Sequence, residues 1–213
     1  MRLGVFGGSF NPPHHCHVMV AGLALSSGEV DRVLVIPTFR HPFDKPLAPF
    51  EDRLEMVRLA FSILGERVQV SPMEEERSGP SYTVETLRAL AAEHPGATFR
   101  LIVGADLQDD LERWHEFEEV LRLAPPLWIG REGSDDLGDT IFPFRLPNIS
   151  STGIRQRLAS GERPQGLIPH SVLSYIRARG LYLDEGPARR ILVMGLGRVG
   201  TVLARWLTGS GAI

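Results

Sequence analysis

Short apolar runs ending in glycine or proline alternate along this chain with longer stretches of helical spacing. Residues 2–6 are mostly apolar and stop at Gly7-Gly8, which predicts a buried strand feeding a loop. Helical spacing resumes over 17–24, and 32–37 (RVLVIP) predicts a second buried strand ending at a proline. After a loop over 38–50, acidic Glu51-Asp52 opens a helix whose apolar Leu54, Val57, Leu59, Ala60 and Phe61 carry it towards Gly65. Residues 68–70 predict a strand, 74–76 the start of an acidic loop, and Ser81 or Thr83 the cap of a helix reaching 92. A fourth strand over 98–103 runs into Gly104, a helix is predicted over 107–123, a short strand over 127–130 and a Gly/Asp loop over 131–140. Residues 171–179 predict an amphipathic helix, and 181–183 close the unit.

Strands alternating with helices predict an α/β fold, a Rossmann-like parallel sheet with helices on both faces. Ligands of such sheets sit at the carboxyl ends of the strands, so the exits Gly7-Gly8 and Gly104-Ala105-Asp106 should share one edge. Residues 1–183 form this domain, and 184–190 read as a polar linker. Residues 191–213 read as a strand-helix extension, with Gly195, Gly197 and Gly200 in the G-x-G-x-x-G spacing of a dinucleotide-binding turn. No second strand follows, so the expectation is the start of a truncated second domain; a tail packed on the main domain is the alternative. Apolar residues within 191–207 would also suit a homo-oligomer contact.

Composition narrows the partners. With 23 Lys+Arg against 26 Asp+Glu over 213 residues, the net charge of -3 provides no global field for nucleic acid or an anionic membrane. A polyanion would have to meet a local site, and a small ligand is expected before a polymer. One cysteine excludes a disulfide framework within the chain and multi-cysteine zinc sites. There is no signal-peptide pattern at the N-terminus and no apolar run near the length of a membrane span, so a cytoplasmic protein is expected.

The strongest chemistry lies in Gly7-Gly8-Ser9-Phe10-Asn11-Pro12-Pro13-His14-His15-Cys16-His17. Glycines after a buried strand let backbone N–H groups approach an anion, and the following helix N-terminus adds positive potential. His14 and His17, three apart at the helix entrance, can turn together towards a phosphate. Three histidines in four residues could instead hold a metal, but a helix N-terminus attracts anions and repels cations. A second anion site is Ile149-Ser150-Ser151-Thr152-Gly153-Ile154-Arg155, with hydroxyls at a predicted helix start and an arginine suited to phosphate oxygens. Alone it would read as an N-cap followed by solvated arginines.

Together the segments resemble the G-x-F-x-P-x-H-x-G-H and I-S-S-T-x-I-R motifs of the nucleotidyltransferase superfamily. Gly8, Phe10, Pro12, His14 and His17 stand in register for the first, and Ile149, Ser150, Ser151, Thr152, Ile154 and Arg155 for the second. Cys16 departs, standing where the family has glycine; its side chain could crowd the close approach of a nucleotide or slow turnover, and the fold is expected to stay intact. Ser81-Tyr82-Thr83, Gly104-Ala105-Asp106 and Trp114-His115-Glu116-Phe117 are similar to segments of bacterial nicotinate-nucleotide adenylyltransferases. The resemblance spans about residues 1–183.

It implies adenylyl transfer from ATP to nicotinate mononucleotide, with Mg2+ entering with ATP. His14, His17 and Arg155 are then the catalytic residues. Gly7, Gly8, Ser9, Phe10, Gly104, Asp106, Ile149, Ser150, Ser151 and Thr152 fall to ATP, and Lys45, Tyr82, Thr83 and Trp114 to the pyridine mononucleotide. Physically, Tyr82 and Trp114 have flat faces for a pyridine ring, and equally suit ordinary helix packing. Asp106 could serve only as an N-cap. Lys45 aligns with the lysine of a P-P-H-K segment that is otherwise unmatched, and His41 and Arg40 read as well as a solvated loop. Arg53, resembling the arginine of an R-x-x-M helix, reads best as a salt-bridge partner. Nicotinamide mononucleotide as acceptor, phosphopantetheine adenylyl transfer and a non-catalytic dinucleotide sensor are the competing readings.

Overall fold

The computed structural model describes residues 1–42, 45–77, 79–104, 107, 112–130 and 146–183. The chain divides into Met1–Leu183 and Asp184–Ile213, and the first unit is the subject here. The expectations for Phe43, Asp44, Ala105, Asp106, the 131–140 loop and the 184–213 linker and extension lie outside the described residues.

Five parallel strands, β1 (Arg2–Gly8), β2 (Arg32–Pro37), β3 (Val68–Val70), β4 (Thr98–Gly104) and β5 (Pro126–Ile129), lie in the order β3-β2-β1-β4-β5. The helices are α1 (His15–Ser26), α2 (Phe50–Phe61), α3 (Thr83–Glu93), α4 (Phe117–Leu123), α5 (Ser151–Ala159) and α6 (His170–Arg179), with a 3-10 helix over Ser62–Arg67. Strand alternation splits the core in two. Phe6, Val33, Val35 and Ile102 face one side and meet Val20 of α1, Val57 of α2, Ile154 of α5 and Val172 of α6. Leu3, Val5, Leu34, Ile36, Leu101 and Val103 face the other and meet Leu87 of α3 and Val120 of α4. Both faces of the sheet are covered, as the buried runs required.

The strand order reverses between β1 and β4, the position where ligands bind parallel sheets. Val5 pairs with Leu101, three residues before Gly8 and Gly104 respectively, so both exits open on one edge. Gly4 permits the close packing within this pair of strands: a Cβ there would lie 2.8 Å from Ile102 Cδ1.

Two elements depart from expectation. The N-cap of α3 is Tyr82, with no capping side chain. Ser81 is engaged elsewhere: its Oγ accepts from the Arg40 N–H at 3.2 Å and its N–H donates to the Arg40 carbonyl at 2.9 Å. The predicted 107–123 helix is α-helical only from Phe117 among the described residues, because Glu116 takes a left-handed conformation (φ 51°). Glu116 accepts two bonds from the Arg88 guanidinium of α3, and the His115 ring packs on Tyr82, so tertiary partners override helical spacing.

Candidate active site

The β1 exit is a braced loop that leads into α1. Phe10 has φ 44°, a left-handed conformation that a bulky residue adopts only where its surroundings enforce it. The surroundings here are aromatic. Its ring, 2% exposed, packs edge-on against Phe6, Phe61 and His17 with centroids 5.0–6.0 Å away. A Cβ on Gly8 would approach that ring to 3.2 Å, whereas one on Gly7 would meet nothing within 4 Å. Gly8 is therefore required by the loop's own packing, and the Gly7 backbone is open to an incoming group. The Phe10 side chain shapes the loop from the core side instead of facing a ligand.

His14 and His17 are brought together as predicted, but as a stack. Their centroids are 3.6 Å apart with planes 23° from parallel, and His14 is 3% exposed. The His14 backbone N–H donates to His17 Nδ1 at 3.1 Å. A neutral His17 must then carry its proton on Nε2, which makes that atom a donor.

The second motif closes on the first. Ser150 is the N-cap of α5, its Oγ accepting from the Gly153 N–H at 3.1 Å. From the first turn Ser151 Oγ donates to the Pro12 carbonyl at 2.8 Å, and Arg155 Nη1 donates to the Asn11 carbonyl at 2.7 Å. Arg155 Nη2 also donates to Thr152 Oγ1 at 3.3 Å. Segments some 140 residues apart in sequence are thus joined at backbone carbonyls. Half-buried Ile149 packs against the first core cluster beside them.

Cys16 is turned into the core. It is 3% exposed, and its thiol donates to the Pro147 carbonyl at 3.2 Å, adding a further tie between the motifs.

Among the described residues Arg53 forms no salt bridge, against expectation. It is 1% exposed and donates to four carbonyls: Ala48 (2.9 Å), Ser9 (3.0 Å), Thr38 (2.7 Å) and Phe39 (3.5 Å). It staples the β1 exit to the β2 exit and leaves a positive charge beneath both. Burial holds its pKa below the usual guanidinium range, with Tyr182, Glu74 and Glu51 acting in the opposite sense. A signal existed: residues 50, 53, 54 and 57 share one helical stripe, so Arg53 stands on the apolar face of α2. Burial, followed by Lys45 and Arg53, holds the His41 imidazole below its usual pKa. Lys45 is exposed, next to Pro46, whose carbonyl accepts from Asn11 Nδ2 at 3.4 Å.

On the other side of the sheet Tyr82 and Trp114 are half-buried against the second core cluster, and Thr83 begins α3. The Tyr82 and His115 rings lie 4.5 Å apart at 35°, so Tyr82 touches His115 as well as the second core cluster. Gly104 ends β4 opposite Ile129. No group of three His, Cys, Asp or Glu side chains among the described residues is placed to hold a metal, and no helix among them is long and apolar enough to cross a membrane.

The Cytidylyltransferase-like family model matches residues 5–157, which takes in both motifs. The "probable nicotinate-nucleotide adenylyltransferase" of Anaeromyxobacter sp. (strain K) is 46% identical over 184 residues, 85% of this chain and 96% of that protein. The protein of the same name from Myxococcus xanthus is 36% identical over 85% of this chain and 95% of its own length. The chain belongs to the nicotinate-nucleotide adenylyltransferase family. Its fold matches the Plasmodium falciparum nicotinic acid mononucleotide adenylyltransferase complexed with NaAD, at a TM-score of 0.72 and 22% identity over 85% of this chain and 97% of that one. The P. falciparum enzyme complexed with APC matches at a TM-score of 0.70 and 21% identity.

Proposed function

We propose that this protein transfers the adenylyl group of ATP to nicotinate mononucleotide, giving nicotinate adenine dinucleotide and pyrophosphate. The observation that carries the reading is the junction of the β1 exit with α5 at the strand-order reversal, where Arg155 and Ser151 meet the Asn11 and Pro12 carbonyls. A phosphate oxygen of the mononucleotide attacks the α-phosphorus. The bond from that phosphorus to the β-phosphate bridging oxygen breaks, and pyrophosphate leaves with the electron pair. Such a reaction needs alignment and charge neutralisation and no covalent nucleophile.

His17 Nε2 and the Arg155 guanidinium serve the triphosphate in this scheme. His14 supports His17 from below through the stack and the backbone bond. Open Gly7, followed by Gly8 and Ser9, gives the triphosphate a close backbone approach, with Gly104, Ile149, Ser150 and Thr152 around the nucleotide; Asp106 is assigned to ATP on the family resemblance alone. Arg53 adds positive potential from beneath. Tyr82 and Trp114 flank the pyridine ring, Thr83 lies at its carboxylate and Lys45 at the mononucleotide phosphate. Mg2+ belongs to the MgATP substrate: the side chains at the junction are imidazole, hydroxyl and guanidinium, which suit phosphate oxygens better than a bare cation. The charge balance and composition favour a cytoplasmic enzyme. A sensor reading loses one of its supports with Cys16 turned into the core.

The deciding experiment measures pyrophosphate release with MgATP and either nicotinate or nicotinamide mononucleotide. The expected result is turnover with the acid preferred by about tenfold or more, about 1.4 kcal/mol. Binding of ATP without turnover of either acceptor would overturn the proposal.

A further inference from the structure

Asn11 is 4% exposed, so its polar atoms must find partners inside the protein. Its Oδ1 accepts from the Ala48 N–H at 3.1 Å and from the Tyr182 hydroxyl at 2.7 Å. Its Nδ2 donates to the Pro46 carbonyl at 3.4 Å, and its own carbonyl accepts from Arg155 Nη1 at 2.7 Å. The Ala48 N–H at Oδ1 and the Pro46 carbonyl at Nδ2 give the amide one orientation, because a flip would set an NH2 group against the Ala48 N–H; the Tyr182 hydroxyl then donates to Oδ1. One residue therefore ties the β1 exit to the Lys45-bearing loop, to α5 and to Tyr182, 171 positions away.

The Tyr182 end is built for this bond. Tyr182 has φ 59°, a costly conformation for an aromatic residue, and its ring packs against the first core cluster. Burial raises the phenol above its usual pKa, so it remains a protonated donor throughout the neutral range.

The Arg155 guanidinium is pinned by the Asn11 carbonyl at Nη1 and by Thr152 Oγ1 at Nη2, which sets the plane of a fork whose geometry matters for phosphate. We infer that Asn11, with its amide locked by Tyr182, is a positioning residue that sets the Arg155 guanidinium for adenylyl transfer. The inference rests on the reading of Arg155 as a triphosphate ligand. Asn11 itself touches no substrate in this account; its side chain is engaged with Pro46, Ala48 and Tyr182.

A double-mutant cycle in the full chain tests it, using pyrophosphate release with MgATP and nicotinate mononucleotide. Tyr182→Phe keeps the ring and removes the donor; Arg155→Lys keeps a charge and loses the fork. Tyr182→Phe alone is expected to lower kcat/KM by about three- to tenfold in a variant that still folds, with a small drop in melting temperature because Asn11 Oδ1 keeps only the Ala48 N–H. In the Arg155→Lys background it should cost less than twofold, because contacts acting through one group are not additive. Asn11→Asp retains the acceptor for both donors and should keep activity within about threefold of wild type, whereas Asn11→Leu should lose at least as much as Tyr182→Phe. An equal factor in both backgrounds, or no effect of Tyr182→Phe, overturns the inference while leaving the role of Arg155 standing. An unimpaired Arg155→Lys would overturn that role, and the inference with it.

Discussion

Around the β1 exit Asn11 and Arg53 are buried and bond to the backbone of Ser9, Thr38 and Ala48, with Arg155 donating to the Asn11 carbonyl, whereas around Tyr82 the ties are a ring contact, the Ser81–Arg40 bonds and the Arg88–Glu116 pair, the last with side chains 41% and 40% exposed. Buried bonds are costly to break because the freed groups find no water. Exposed pairs are screened and easily remade. On the proposed reading the half assigned to the triphosphate is preorganised, and the half assigned to the acceptor relies more on exposed contacts that can adjust. This suits a reaction whose charge redistributes along the phosphates: fixed donors count most where charge develops, and acceptor choice can be made by groups that settle on binding.

The largest expected effect tests the rigid half directly. His17→Ala should lower kcat by about a hundred- to a thousandfold, the range for one preorganised donor, in a variant that still folds but melts lower for want of the His14 stack and cap. A folded variant with normal kcat would remove His17 from the chemistry and leave the β1 exit as mere scaffolding.

Next comes the brace. Arg53→Met frees carbonyls of Ser9, Thr38 and Ala48 that have little access to water, while relieving the desolvation of a buried cation. The former should win, with a loss of about 2–4 kcal/mol in urea unfolding. A neutral result would mean that the two exits hold their places without it, and would weaken the contrast between the halves.

The smallest effect is expected on the adjustable side. Tyr82→Ala removes one aromatic face and should raise KM for nicotinate mononucleotide by about three- to tenfold, leaving KM for ATP and stability nearly unaltered. A loss of stability as large as that of Arg53→Met would show that Tyr82 is a packing residue and that both halves are equally rigid.

Much of this could be read from local pattern. The strand runs, their glycine exits and the two anion motifs are all short-range signals, and a parallel sheet leaves few ways to arrange them. The start of α3 and the 112–116 segment were misread because Ser81, His115 and Glu116 answer to partners distant in sequence. Arg53 was misread because an arginine beside Asp52 and Glu55 suggests an ion pair. Its place on the apolar stripe of α2 was the better guide, and Asp52 instead accepts from Tyr175 and Arg179.

What the sequence determined by itself is the fold class, the family motifs and the edge on which they meet, because backbone periodicity and loop chemistry act over a few residues. What only the tertiary structure decided is how those motifs are held: Cys16 turned to Pro147, Arg53 spread over four carbonyls, and Asn11 joined to Tyr182 and Arg155. The reason is that a buried polar group takes whatever partner the closed fold brings to it, and that partner can lie anywhere along the chain.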